Sequence, residues 1–110
     1  VPMPAQLVLC TCPDDAVAAR IARCLVEERL AACVNRIAGV HSTYAWQGTL
    51  HDDAEVLLLI KTERARFDAV RERVLALHPY ELPELIAVDV TGGLERYLGW
   101  LSAAVALPAD

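Results

Sequence analysis

The sequence predicts an α+β domain, and three observations support this prediction. Short apolar runs of strand length alternate along the chain with segments in which apolar residues recur at helical spacing. The chain is 55% hydrophobic and 23% charged, which is typical of a folded globular domain and excludes a disordered chain. Its 110 residues are enough for one hydrophobic core and too few for two. We therefore expect one domain over residues 1–110.

The first elements predicted along the chain are a strand and a helix. Residues 7–11 form an apolar run that indicates a short buried strand. Residues 13–15, a proline followed by two aspartates, favour the start of a helix, because proline fits its first turn and acids interact well with its dipole. We expect this helix to end near residue 29.

A long β-hairpin is predicted next. Residues 33–46 indicate one bent strand, with Gly39 as the site of a β-bulge. The dipeptide at 47–48, Gln-Gly, predicts a turn, and residues 55–61 predict a central strand that returns along the first. Because the arms are longer than a typical strand of about 5–6 residues, the hairpin is expected to project beyond its sheet.

The last part of the chain predicts a helix, a loop, a strand and a final helix. Apolar residues at helical spacing mark a helix over 67–77, and a proline-containing loop follows at 78–84. Residues 85–90 predict a strand, which Gly92-Gly93 ends. The last helix is expected to run from residue 94 to near Pro108.

The predicted order is therefore β-α-β-β-α-β with an added C-terminal helix. Two βαβ halves of this kind form a four-stranded antiparallel sheet with helices on one face, the ferredoxin-like arrangement. The other face would expose a large apolar patch around residues 56–60, so we expect it to be covered by another subunit.

Charge and composition exclude two classes of partner and suggest a compartment. The formal net charge is −5 and basic residues are scattered, which argues against nucleic acid, and no apolar run approaches the ~20 residues that span a bilayer. Residues 1–6 lack the segments of a signal peptide, and the four cysteines, at 10, 12, 24 and 33, are interpreted as reduced thiols, with Cys24 in the core. These features predict a cytoplasmic protein.

The loop at 78–84, His-Pro-Tyr-Glu-Leu-Pro-Glu, carries the densest chemistry in the chain. Two prolines hold the preceding residues, His78 and Leu82, in extended conformations, so an imidazole, a phenol and two carboxylates extend from a rigid segment. Such a loop suits a ligand or metal site, and it equally suits a structural corner in which His78 donates to a carbonyl.

Six segments together resemble the CutA family of small trimeric proteins, which is named for divalent-cation tolerance. They cover nearly the whole chain in order: Cys10-Thr11-Cys12-Pro13-Asp14, Leu30-Ala31-Ala32-Cys33-Val34-Asn35, Ser42-x-Tyr44-x-Trp46-x-Gly48, Glu55-Val56-x-Leu58-x-x-Lys61-Thr62, His78-Pro79-Tyr80-Glu81-x-Pro83-Glu84 and Tyr97-x-x-Trp100. The resemblance implies a ferredoxin-like subunit in a homotrimer similar in architecture to the PII signalling proteins. It also implies binding of copper or another divalent cation, with no organic cofactor.

The resemblance implies metal ligands at Cys10 and His78. A second histidine position, just before His78, holds Leu77, which offers no donor atom. Thiolate and imidazole suit Cu(I), Cu(II) or Zn(II), whereas the structural alternative for Cys10 is a small buried apolar residue. Cys12 shares a strand face with Cys10 if the strand continues that far, although a C-x-C pair is by itself a weak metal signal.

A second group, Lys61, Tyr80, Glu81 and Trp46, is implied to lie near a cleft between subunits. A small anionic or polar ligand would occupy this cleft. The structural alternative is a Lys61–Glu81 ion pair that holds the trimer together.

These observations lead to one preferred function and two alternatives. The preferred hypothesis is a trimeric, non-enzymatic protein of the CutA type that binds divalent metal, chiefly copper. The first alternative is a PII-like signalling or scaffold trimer that binds a small ligand at its subunit clefts, and the second is a trimer that binds a protein partner. An enzyme is not expected, because no Gly-rich phosphate loop, HExxH or GxSxG motif occurs in the sequence.

Overall fold

The computed structural model describes residues 4–107. Its elements follow the predicted order. They are β1 (Ala5–Cys12), α1 (Asp15–Glu27), β2 (Cys33–Trp46), β3 (Thr49–Glu63), a 3₁₀ turn (Arg64–Arg66), α2 (Phe67–Leu77), β4 (Ile86–Asp89) and α3 (Glu95–Ala104). The last helix ends at Ala104, and Pro108, where we expected it to end, lies outside the described residues. No described helix is long and apolar enough to cross a membrane.

The four strands form one antiparallel sheet in the order β2-β3-β1-β4. This order and the β-α-β-β-α-β sequence confirm the ferredoxin-like α+β fold. Helix α1 begins as its sequence predicts, because the Asp14 side chain accepts a hydrogen bond of 2.9 Å from the Val17 N–H. Helix α3 is fixed at its C-terminal end by Arg29, which donates to the carbonyls of Ala103 and Ala104 at 3.1 and 3.2 Å.

The two faces of the sheet have different surroundings. Side chains alternate between faces along each strand, so β1 and β3 direct one set of apolar residues toward α1 and α2. This set forms the main core and is fully or nearly fully buried: Val8, Cys10, Cys12, Val56, Leu58 and Ile60. The opposite set includes Leu7, Leu9, Leu57, Leu59, Ile86 and Val88, of which none is buried. We call this second surface the open sheet face.

The hairpin projects as predicted. Strand β3 pairs with β1 only through Val56–Glu63, so its first residues pair with β2 alone and form a two-stranded arm. A β-bulge lies between Ile37 and Val40, where Gly39 adopts a φ of +82°. The bulge adds one residue to β2, and this addition puts the even-numbered residues of β2 beyond the bulge on the open sheet face, opposite odd-numbered residues of β3.

Candidate functional site

Cys10, Cys12 and His78 come together on the helical side of the sheet. The two cysteines lie two residues apart on β1, so both side chains point into the core, and both are fully buried. His78 is buried at the end of α2, and one ligand atom from each of the three residues lies within 4.8 Å of the others. The structure therefore brings together the two predicted ligands and adds a third donor.

His78 also anchors its loop, which was the structural alternative. Its Nε2 lies 2.8 Å from the Thr11 carbonyl oxygen, and its Nδ1 accepts from the Tyr80 N–H at 3.2 Å. Since a carbonyl can only accept, these partners assign the proton of the neutral ring to Nε2. The extended conformation of His78, with ψ of 134°, is the one that Pro79 favours.

The two thiols affect each other's ionisation. Hydrogen bonding with Cys12, together with burial, raises the pKa of the Cys10 thiol. The hydrogen bond from Cys10 lowers the pKa of the Cys12 thiol, although burial opposes this effect. The two thiols therefore ionise as a coupled pair, and two thiolates side by side are unfavourable unless a cation lies between the sulfurs.

Leu77, Cys24 and Cys33 contribute no donor atom to this cluster. Leu77 packs against the main core, so no side chain there replaces the histidine that the resemblance would place before His78. Cys33 is partly buried, and Cys24 is also only partly buried, which corrects the prediction that it lies in the core. The turn of α1 that carries Cys24 leaves its side chain at the border of the buried stripe rather than within it.

A cavity of about 830 Å³ lies on the opposite side of the sheet, between the hairpin arm and the 78–86 loop. It adjoins the open sheet face, because Thr11 and Glu55 point away from the helices. Its lining residues are Thr11, Ser42, Thr43, Tyr44, Trp46, Glu55, Tyr80, Glu81, Leu82, Pro83, Glu84, Leu85 and Ile86. We call it the hairpin cavity.

The hairpin cavity contains three of the four predicted cleft residues. Trp46, Tyr80 and Glu81 line it, whereas Lys61 does not. Lys61 pairs with Leu7 and Cys33, six residues along β3 from Glu55, a separation of about 20 Å in an extended strand. Within the described part of one chain, Lys61 and Glu81 form no ion pair.

Glu55 is the residue of the cavity that sequence reasoning missed. The residue is only 7% exposed, and its Oε2 accepts a hydrogen bond of 2.8 Å from the Tyr80 hydroxyl. Burial and this hydrogen bond raise the pKa of Tyr80. One feature of the sequence could have identified Glu55. It precedes an apolar strand segment, and the alternation of side chains places it on the same face as Leu57 and Leu59.

The 78–86 loop connects the two regions. His78 contacts the helical side of β1, while Tyr80, two residues later, reaches the hairpin cavity and lies with its ring centroid 4.7 Å from that of His78. The adjacent rings of His78 and Tyr80 therefore join the two regions in one loop.

Comparison with known proteins shows what this chain resembles. It is 51% identical to the divalent-cation tolerance protein CutA of Thermus thermophilus over 96 residues, which cover 87% of this chain and 93% of the relative. Among solved structures, CutA1 from Shewanella sp. SIB1 is 37% identical and superimposes with a TM-score of 0.92, covering 97% of this chain and all of that one.

Another solved relative corrects the predicted compartment. CutA from Archaeoglobus fulgidus is described as a periplasmic divalent cation tolerance protein; it is 34% identical, with a TM-score of 0.89, and the match covers 92% of this chain and 98% of that one. The prediction of a cytoplasmic protein is therefore wrong. Reduced thiols were a weak basis for it, because Cys10 and Cys12 are fully buried and shielded from oxidants in any compartment.

A family model also matches this chain. The model described as CutA1 divalent ion tolerance protein matches residues 6–104, which span every element from β1 to α3. The chain belongs to the CutA1 divalent ion tolerance protein family.

Proposed function

We propose that this member of a divalent-cation tolerance family binds copper, held as Cu(I), through Cys10, Cys12 and His78. The observation that carries the proposal is the convergence of two thiols and one imidazole within 4.8 Å. Soft thiolate ligands select Cu(I) and Zn(II) over hard cations such as Mg²⁺, and imidazole suits the same metals. Cys12 supplies the third donor that Leu77 cannot.

The hydrogen bonds of His78 support ligation through Nδ1. Releasing Nδ1 breaks only the 3.2 Å contact with the Tyr80 N–H, whereas releasing Nε2 breaks the 2.8 Å contact with the Thr11 carbonyl. Metal-bound histidines commonly donate their other ring N–H to a carbonyl, and Thr11 already provides that partner. Ligation through Nδ1 therefore breaks the longer of the two hydrogen bonds.

We also propose that the protein acts as a homotrimer and by binding rather than catalysis. The open sheet face supports association, because it presents apolar side chains such as Ile86 and Val88 that are 54% and 50% exposed. Light scattering is expected to give about 36 kDa, three times the 12.0 kDa chain, and the mass of one chain would contradict the trimer.

The hydrogen bonds of His78 argue against catalysis. Both of its ring nitrogens bond to the backbone, and no described hydrogen bond joins that ring to a thiol.

A competition titration tests the metal site. Cu(I) is presented under reducing, anaerobic conditions with a chromophoric chelator, and the dissociation constant is measured for wild type, Cys10→Ser, Cys12→Ser and His78→Gln. Each variant is expected to lose more than about 100-fold in affinity, since changes to residues that only hydrogen-bond to metal ligands already typically cost 10–100-fold. Cys24→Ser and Cys33→Ser are matched controls because those thiols lie outside the cluster.

Two results of this titration would contradict the proposal. Wild-type affinity in all three site variants would exclude the cluster. Equal losses in the Cys24 and Cys33 controls would show that copper binds thiols without regard to their position.

A second candidate function is the binding of a small ligand in the hairpin cavity, as in the PII-like alternative. Its volume lies within the range of about 300–1,000 Å³ that is usual for ligand sites, and this observation favours it. A thermal-shift screen of nucleotides, small acids and amines tests it. Stabilisation by at least one class is expected, and no stabilisation by any of them would contradict it.

A further inference from the structure

We propose that the Tyr80 backbone N–H competes with copper for the Nδ1 atom of His78, and that Glu55 lowers the affinity of the copper site by holding the Tyr80 hydroxyl. This inference rests on the proposed function and deepens it, because it adds a positioning residue to the metal site. Tyr80 supplies no ligand atom to the cluster of Cys10, Cys12 and His78. It acts on the metal through His78.

Tyr80 is held by different partners at its two ends. Its backbone N–H donates to His78 Nδ1 at 3.2 Å, and its hydroxyl donates to Glu55 Oε2 at 2.8 Å. Pro79, between the two aromatic residues, restricts the backbone because its ring fixes φ. Both hydrogen bonds lie within one chain, so an oligomer contains one copy of this connection in each subunit. Tyr80 cannot move far from the imidazole while its hydroxyl stays bound to Glu55.

Metal ligation through Nδ1 competes with the first of these hydrogen bonds. A neutral imidazole has one acceptor nitrogen, and because Nε2 donates to the Thr11 carbonyl, that nitrogen is Nδ1. Its lone pair cannot accept from the Tyr80 N–H and bind a metal at the same time. The N–H must therefore leave when the metal binds, and the hydrogen bond between Glu55 and the Tyr80 hydroxyl opposes this movement.

The two events are therefore linked in free energy. A hydrogen bond that favours the arrangement in which Tyr80 occupies Nδ1 lowers copper affinity, and bound copper weakens that hydrogen bond by the same factor. Glu55 lies on β3 and pairs with Val40 of β2, at the base of the hairpin arm. Copper occupancy is thus coupled to the attachment of the 78–86 loop to the hairpin.

A purely structural role for Tyr80 predicts the opposite sign. If its hydroxyl only supported the metal site, removing the hydroxyl would loosen His78 and weaken copper binding. The imidazole keeps a second anchor, however, because the 2.8 Å contact between Nε2 and the Thr11 carbonyl does not involve Tyr80. We therefore expect loss of the Tyr80 hydroxyl to strengthen copper binding.

The Cu(I) competition titration, under the same reducing, anaerobic conditions, tests this sign on the full-length protein. Tyr80→Phe is expected to bind Cu(I) about fivefold or more tightly than wild type, within the usual range of coupling between sites. Glu55→Gln is expected to give a smaller increase, since a neutral acceptor keeps a weaker hydrogen bond. Tyr44→Phe, which removes a hydroxyl bound to Asp53 on the same arm, is the matched control and is expected to bind like wild type.

A double-mutant cycle shows whether the effect passes through the imidazole. In a His78→Gln background the ring nitrogen for which Tyr80 competes is absent. Tyr80→Phe is therefore expected to leave the residual Cu(I) affinity unchanged there.

NMR detects the competition in the wild-type protein. The chain contains three tyrosines, so selective ¹⁵N-tyrosine labelling gives three backbone amide signals, of which Tyr80→Phe identifies one by its loss. Cu(I) is diamagnetic, and it is expected to shift the Tyr80 signal and to speed its hydrogen exchange about tenfold or more, because the N–H loses its acceptor. Tyr97, on α3 and outside the cluster, is the internal control and is expected to stay unchanged.

Two results would overturn the inference and leave the metal site in place. The first is unchanged or weaker Cu(I) binding in Tyr80→Phe while binding still depends on Cys10 and Cys12. The second is a Tyr80 amide that Cu(I) neither shifts nor exposes to exchange, which would show that Nδ1 is not the ligand atom. Equal Cu(I) affinity in Cys10→Ser and wild type would instead exclude the site itself, and the inference with it.

Discussion

Removing the Tyr80 hydroxyl tests the link between the 78–86 loop and the hairpin. In Tyr80→Phe the ring remains, and only the donor 2.8 Å from Glu55 Oε2 is lost. A hydrogen bond to a charged group contributes about 1.5–3 kcal/mol, and here its loss leaves Glu55, a residue that is only 7% exposed, without a described side-chain partner. We expect the free energy of unfolding to fall by about 1.5–3 kcal/mol.

Tyr44→Phe is a matched control for this change. The Tyr44 hydroxyl also donates to a carboxylate, that of Asp53 at 2.6 Å, but this hydrogen bond is exposed to solvent. Water can replace the lost partner there, so the expected cost is below about 1 kcal/mol. Burial, rather than the length of the hydrogen bond, therefore decides the difference between the two variants.

Guanidinium chloride unfolding at one fixed protein concentration measures both effects, because oligomer stability depends on concentration. Repeating Tyr80→Phe in a Glu55→Gln background completes a double-mutant cycle. The cost is expected to fall to about 0.5–1.5 kcal/mol there, since the hydrogen bond is then between neutral groups. Equal costs for Tyr80→Phe and Tyr44→Phe, or no coupling in the cycle, would refute this account of Glu55.

Three further predictions concern pH, the bulge and a helix cap. Burial and the hydrogen bond to Glu55 raise the pKa of Tyr80 above its ordinary value of about 10. The contribution of the Tyr80 hydroxyl to stability is therefore complete below pH 10 and is lost as the pH rises above it. Alkaline unfolding curves for wild type and Tyr80→Phe should converge as the pH rises. Gly39→Ala places a side chain at a φ of +82° and is expected to cost about 1–2 kcal/mol in denaturant unfolding, whereas an unchanged midpoint would show that the bulge relaxes. Asp14→Ala removes the cap on the Val17 N–H and is expected to cost about 1 kcal/mol by the same measurement, while Asp14→Asn should cost much less.

Local patterns were sufficient to predict most of the fold. Helix α1 could be anticipated from the residue types at 13–15, and the bulge at Gly39 from a glycine within a strand. The bounds of β1 and β3 were less accurate, because the structure extends both strands beyond their apolar centres. Pairing with neighbouring strands adds residues such as Gln6 and Asp53 that have no apolar pattern of their own.

The candidate sites depended more on tertiary structure. Because β1 extends to Cys12, this thiol lies beside Cys10 in the core. The predicted strand ended at residue 11, so the sequence did not establish that the two thiols share a face. Proximity to His78 involves contacts across 67 residues of sequence, which no local pattern reports. Glu55 was missed for a similar reason, since the sequence predicted it as the first residue of a strand, whereas in the structure it lies within β3 and accepts a hydrogen bond from Tyr80 of a distant loop.

X-ray absorption spectroscopy of the metal-loaded protein tests the central claim most directly, because it counts the ligand atoms around the metal. For Cu(I), and for Zn(II) as a divalent comparison, we expect two sulfur ligands and one imidazole nitrogen, with Zn–S distances of about 2.3 Å. Cys12→Ser is expected to lose one sulfur from that shell, and Cys24→Ser none. A first shell made only of nitrogen and oxygen, or a shell that is identical in wild type and Cys12→Ser, would contradict a metal site formed by Cys10, Cys12 and His78.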